Sequence, residues 1–212
     1  MSKKNKTAKS AAKIGKKGQY QYISQEKKRR IIRTILCFFP AILFFVTGLI
    51  WFGTRDNLLT VAAVLLCLPA GKQLVGLIMI MMFKSMNPDL HRRIDEHKGS
   101  LTMVYECILT NYEKNTMVEA FAICGDQVVG YTSSAKADIK YVEQNTQKIL
   151  RNNGYGVTVK LIKDEKQFLN RLDTLNENCE SLRADIPFTP DERYPDLSRE
   201  ELIKHTILAI SL

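Results

Sequence analysis

Residues Thr34 to Thr54, TILCFFPAILFFVTGLIWFGT, carry no charged side chain in 21 positions. Asn57 to Phe83, NLLTVAAVLLCLPAGKQLVGLIMIMMF, is broken only by Lys72 and Gln73. A helix crosses a bilayer core of about 30 Å in roughly 20 residues, so each stretch is long enough to span it. Only Arg55 and Asp56 lie between them, which leaves room for a tight turn. The pattern predicts a two-helix transmembrane hairpin, 34–54 and 57–83.

The net charge of +9 is not spread over the chain. Residues 1–33 hold 12 Lys or Arg against the single acid Glu26, leaving 19 basic and 21 acidic side chains for the other 179 residues. A folded nucleic-acid-binding domain would carry its basicity on a face. Here it sits in a tail, so no nucleic-acid partner is expected. Poor in large apolar residues, residues 1–33 are expected to be a disordered basic tail. They do not suit a cleaved leader, whose apolar core is usually about 7–15 residues long.

Orientation follows from the flanks. Lys27, Lys28, Arg29, Arg30 and Arg33 precede the first span, and Lys84, Arg92 and Arg93 follow the second. Lys and Arg are retained on the cytoplasmic side. The expected location is the cell membrane, multi-pass, with both termini in the cytoplasm. Lys27, Lys28, Arg29, Arg30 and Arg33 would then contact the anionic leaflet, each adding about 1 kcal/mol.

Lys72 is the odd residue of the second span, counted near its middle from Asn57 and Phe83. A central Lys costs about 2.5–3.5 kcal/mol on insertion. Pro69 removes one helical donor and frees the Leu65 carbonyl. Lys72, Gln73 and Pro69 are therefore a candidate polar site within the membrane. The plainer alternative is that Lys72 lays its stem along the helix and reaches a headgroup.

Past the hairpin, Asn87-Pro88 is a helix start, with Asn as cap and Pro at the first position. A short juxtamembrane helix occupies 84–99. Runs rich in β-branched and apolar residues follow at Leu101–Thr110, Met117–Cys124 and Gln127–Thr132, the last two joined by the Gly125-Asp126 turn. Apolar residues then recur at helical spacing through 134–153, a strand alternates through 155–163, and a second helix begins near Asp164. The order α-β-β-β-α-β-α predicts a cytosolic α+β domain over 100–183, with helices on one side of the sheet. Pro187, Pro190 and Pro195 mark 184–197 as a linker. Ser198-x-x-Glu201 is a capping box opening an amphipathic C-terminal helix over 198–212.

This element order resembles that of restriction-endonuclease-like nucleases, some of which are membrane proteins. The resemblance implies an acid on the second strand and an acid-x-Lys pair on the third, together positioning a divalent metal. Glu119 lies on the second strand and Asp126 in the turn, but QVVGYT holds neither acid nor lysine. Elsewhere there is no phosphate-cradling glycine loop, nucleophile elbow or H-E-x-x-H. His91 and His97 are six apart, off a shared helical face, and no metal or other cofactor is expected from them or from His205. The five cysteines form no framework and suit reduced, buried filler in a cytosol-facing chain.

Two functions follow. The first is a two-span membrane protein presenting a small cytosolic interaction or regulatory module, with anionic lipid and either a protein or a second copy as partners. The second is a membrane-tethered hydrolase using Glu106, Glu119 or Asp126, which requires those acids to share one cleft.

Overall fold

A computed structural model describes residues 17–53, 57–110, 115–135, 137–184, 186, 188 and 197–212. It forms two compact units: Ile23–Ser85, and a second that joins Met86–Leu212 with the residues up to Tyr22. Residues 1–16, the turn Arg55-Asp56 and most of the proline-rich stretch 184–197 lie outside the described residues, as do the expectations placed on them.

The first unit is made of helix α1 (Tyr22–Phe52) and helix α2 (Leu58–Met81). α1 begins twelve residues before Thr34, so residues 22–33, expected as disordered tail, are helical. Chain entropy argues for disorder when a segment must nucleate its own structure. This one only extends a helix that the apolar stretch already nucleates. Its Gln, Glu, Lys and Arg are good helix formers, and Glu26 pairs with Arg30 one turn on. Asn57 caps α2, its side chain accepting the Thr60 N–H at 2.8 Å. Thr34, Ala41 and Gly48 on α1 and Ala63 and Ala70 on α2 are buried. Small residues seven apart are what a closely packed, slightly supercoiled helix pair requires.

The second unit is built on a four-stranded sheet, β1 (Thr102–Leu109), β2 (Thr116–Cys124), β3 (Gln127–Tyr131) and β4 (Thr158–Ile162), in the order β1-β2-β3-β4. The first three strands form an antiparallel meander, and β4 runs parallel to β3. Helices lie on both faces, not one. α4 (Ile139–Asn152), the crossover before β4, and α7 (Arg199–Ile210) cover one face through Val142, Leu150, Ile203 and Ile207. α3 (Pro88–His97), α5 (Glu165–Glu177) and α6 (Cys179–Ala184) cover the other through Leu90, Ile94, Phe168, Leu172 and Cys179. The central strand MVEAFAIC shows why: it is apolar almost continuously, as a strand buried on both faces must be.

The residues just before α1 complete the sheet edge. The Tyr105 N–H donates to the Gly18 carbonyl at 2.8 Å, and Lys17 Nζ donates to the Ser211 carbonyl at 3.2 Å. Gly18 has φ +74°, and a Cβ there would stand 2.7 Å from Leu208 and 2.9 Å from Val104. Only glycine fits that gap without displacement.

Candidate functional site

Two places gather the polar groups singled out above. One is the foot of the helical hairpin, where charge meets apolar surface. Arg30 Nη1 donates to the Gly76 carbonyl at 2.8 Å, and its Nε pairs with Glu26 at 3.2 Å. Lys27 Nζ donates to the Phe83 carbonyl at 2.5 Å. Lys27 and Arg30 therefore hold the two helices together, while Lys28, Arg29 and Arg33 are exposed. Sequence reasoning placed all five in one class. The distinction depends on which residues face α2, and that follows from the helix pairing.

At the tip, Asn57 Nδ2 donates to the Gly48 carbonyl at 3.1 Å. Eighteen residues separate Arg30 from Gly48, and nineteen separate Asn57 from Gly76. At 1.5 Å per residue both helices measure about 27–28 Å between these two polar contacts. Lys72 stands four residues, about 6 Å, from the Gly76 level. Within α2, a helix of 24 residues from Leu58 to Met81, it is nearer the Met81 end than the Leu58 end. Lys72 and Pro69 are exposed and Gln73 is half-buried.

The other place is a pair of buried carboxylates in the second unit. The β1–β2 register runs through Tyr105–Ala120 and Cys107–Val118, so Glu106 and Glu119 occupy the rung between. They are only 2% and 7% exposed. Glu106 has φ +52°, rare for a residue with a side chain, and the strand's alternation breaks there: Val104 and Cys107, three apart, both join the core under α7. Glu106 Oε1 accepts the Met86 N–H at 2.9 Å. Glu119 accepts the Ser133 N–H at 3.0 Å and the Ser133 hydroxyl in a short bond. Burial pushes the Glu119 carboxyl above its ordinary range, opposed by the bonds from Ser133. Tyr131 is also pushed up, by burial first and then by the neighbouring Glu119 and Glu165.

Asp126 does not join them. It sits in the β2–β3 turn, beyond Cys124 at the far end of β2 from Glu119. Convergence of the three acids in one cleft would have favoured the hydrolase reading; the structure keeps Glu106 and Glu119 on one rung and sets Asp126 apart, beyond the far end of β2. Among the described residues no group of three or more His, Cys, Asp or Glu side chains could hold a metal ion. The histidines are engaged in packing and pairing. His91 stacks on Tyr20 at 4.0 Å and lies 4.9 Å from Tyr105, and His97 Nδ1 meets Asp173 at 2.7 Å. Cys107, Cys124 and Cys179 are buried free thiols, the last two with Sγ atoms 2.8 Å apart.

Sequence reasoning missed Glu200. Its Oε1 accepts the Gly125 N–H at 3.0 Å and Arg183 Nε at 2.8 Å. Its Oε2 accepts the Thr102 hydroxyl at 2.9 Å and Arg183 Nη2 at 2.8 Å. Burial alone would raise this carboxyl, but Arg183, Gly125 and Thr102 together hold it below its ordinary value. Its partners lie 17 to 98 residues away in the chain, beyond the reach of any local pattern.

No protein-family model matches the chain, and no curated protein or solved structure matches it. The nuclease resemblance therefore rests on element order alone.

Proposed function

We propose that this chain is a two-span integral protein of the cell membrane, with both termini in the cytoplasm, presenting its α/β/α unit to the cytosol as an interaction or regulatory module. The observation that carries this reading is the uncovered apolar surface of the hairpin. The most apolar windows of α1 and α2 are only 17% and 11% buried. Ile50, Trp51 and Leu58 are 80–84% exposed. A core helix of a water-soluble protein would have that surface covered, and a bilayer covers it here. The interval of about 27 Å between the polar contacts at foot and tip agrees with a hydrocarbon core of about 30 Å. The basic residues at the foot put that end on the cytoplasmic side.

The module reading is preferred to a hydrolase because Glu106 and Glu119 spend their oxygens on their own chain, at Met86 and Ser133. Its partners are then the anionic leaflet at Lys28, Arg29 and Arg33, and a protein or a second copy at the module.

Resistance to alkaline carbonate extraction, combined with reporters at Leu212 and in the turn at Asp56, tests the reading. The chain should stay with the membrane, with the Leu212 reporter active only in its cytoplasmic form and the Asp56 reporter only in its external form. Release by carbonate, or the opposite reporter pattern, refutes it.

A further inference from the structure

Cys124 ends β2 and Cys179 opens α6. They stand 55 residues apart in the chain, yet their Sγ atoms are 2.8 Å apart. A disulfide measures about 2.05 Å, so roughly 0.8 Å remains to close. The approach is built into the backbone on both sides. Gly125, the residue after Cys124, has φ +57°, and a Cβ there would collide with the Leu182 carbonyl of α6. Glycine thus lets α6 lie directly against the end of the strand. Cys107 makes the contrast: it is equally buried, but its only sulfur contact is the Tyr105 carbonyl at 3.9 Å.

We propose that Cys124 and Cys179 are a reversible cross-link site, where a hydroperoxide forms a disulfide fastening α6 to β2 and a dithiol opens it again. Both thiols are at most 2% exposed, and burial pushes Cys124 up to about 12. The closed pair therefore does not ionise, and reaction begins when α6 lifts. A helix of six residues is held by its packing and not by its own length, so it is the element that opens. The Cys179 thiolate attacks one peroxide oxygen, the O–O bond breaks, and water or an alcohol leaves with the thiol's proton. Cys179 is then a sulfenic acid. When α6 closes, the Cys124 sulfur attacks that sulfenic sulfur, the S–O bond breaks, and the hydroxyl leaves with the Cys124 proton as water. Two thiols are oxidised, and the hydroperoxide is reduced by two electrons. Arg183 lies one turn beyond Cys179 and pairs with Glu200, so fastening α6 also steadies the hold on α7. In a cytosol-facing unit such a bond is transient and regulatory; that last step rests on the two-span reading, and the bond itself does not.

The test treats the reduced full chain in detergent with hydrogen peroxide, blocks remaining thiols, and maps peptides by mass without reduction. A Cys124–Cys179 peptide pair should appear two hydrogens lighter than its separate halves, with Cys107 still a thiol. The urea midpoint of this unit, read through Cys107, should rise by about 1–2 M and return to its starting value after dithiothreitol. Cys179→Ser should abolish both the linked pair and the rise. If that variant does not fold, the dithiothreitol reversal in wild type still decides. Oxidation of Cys124 or Cys179 without the linked pair, cross-links to Cys107 as frequent as those between the two, or a linked pair with an unmoved midpoint overturns the proposal. Carbonate extraction and the topology reporters fail or succeed independently of these readouts, so the spanning reading is judged separately.

Discussion

Glu200→Ala is the most informative single perturbation of the second unit, because one carboxylate joins three elements there. It links α7 to β1 through Thr102, to the β2–β3 turn through Gly125 and to α6 through Arg183. Truncation leaves the buried Gly125 N–H without an acceptor, at about 1–3 kcal/mol. The Arg183 side chain is 40% exposed and recovers water, so its ion pair adds no more than about 1 kcal/mol. The expected loss is about 1–4 kcal/mol. Glu200→Gln keeps an amide oxygen for the Gly125 N–H and should lose only about 1 kcal/mol. The assay is pulsed thiol labelling of the full chain in detergent across a urea series, read by mass. Cys107, Cys124 and Cys179 are buried in this unit, whereas Cys37 and Cys67 report on the hairpin. With a urea slope of about 2 kcal/mol per molar, the alanine variant should lower the module's midpoint by roughly 0.5–2 M. Equal shifts for Glu200→Ala and Glu200→Gln would show that the hydrogen bond to Gly125 is not what matters, and the reasoning would fail.

Further outcomes follow from other contacts. Deleting residues 2–16 should leave the module's midpoint unchanged, but Gly18→Ala should lower its stability by about 1–3 kcal/mol, since its Cβ meets Val104 and Leu208. The same labelling series reads both, and an unstable deletion paired with a stable Gly18→Ala would contradict the edge contact. Glu119, raised in the folded state, favours its protonated form there, so its contribution is full below the unfolded value near 4.3 and is lost as pH rises through the folded one. Glu119→Gln should therefore flatten the loss of stability above about pH 4.3 while keeping an acceptor for the Ser133 N–H. Glu200, lowered in the folded state, acts with the opposite sign: its contribution stands above about pH 4.3 and is lost on acidification. A wild type and a Glu119→Gln variant with parallel pH profiles would remove the first of these claims.

What the sequence made legible was set by composition and by local chemistry. The hairpin could be seen in Thr34–Thr54 because an uncharged stretch of that length has few other solutions. The capping box at Ser198 and Glu201 and the Asn87-Pro88 helix start are short-range devices, and the structure contains both. The early start of α1 was not legible from a rule about burial, because Tyr22–Arg33 inherits its helix from the span it precedes. The cover on both faces of the sheet was legible in MVEAFAIC, had its missing alternation been weighed above element order. The pairing of α1 with α2 was not legible from either apolar stretch alone, because Arg30 and Asn57 set it through the Gly76 and Gly48 carbonyls on the facing helix.

The rung of Glu106 and Glu119 shows why two acids on neighbouring strands are a poor warrant for catalysis, and it yields a sharp test. A residue with a side chain pays about 1–2 kcal/mol to enter the left-handed region, and Glu106 enters it at φ +52°. That conformation turns its carboxylate to the Met86 N–H, which leads into α3. With this backbone the usual ranking of small residues in a strand should invert at this position. Glycine in a strand interior normally costs about 0.5–1 kcal/mol relative to alanine. Glu106→Ala and Glu106→Gly lose the same carboxylate and the same bond to Met86, so their difference isolates the backbone. Glu106→Gly should then be the more stable of the two, by up to about 1 kcal/mol, in the urea series read through Cys107, Cys124 and Cys179. An alanine variant more stable than the glycine variant would show that β1 relaxes to ordinary strand geometry once the carboxylate is gone. The positive φ would then be a consequence of the bond to Met86 and not a feature of the strand itself.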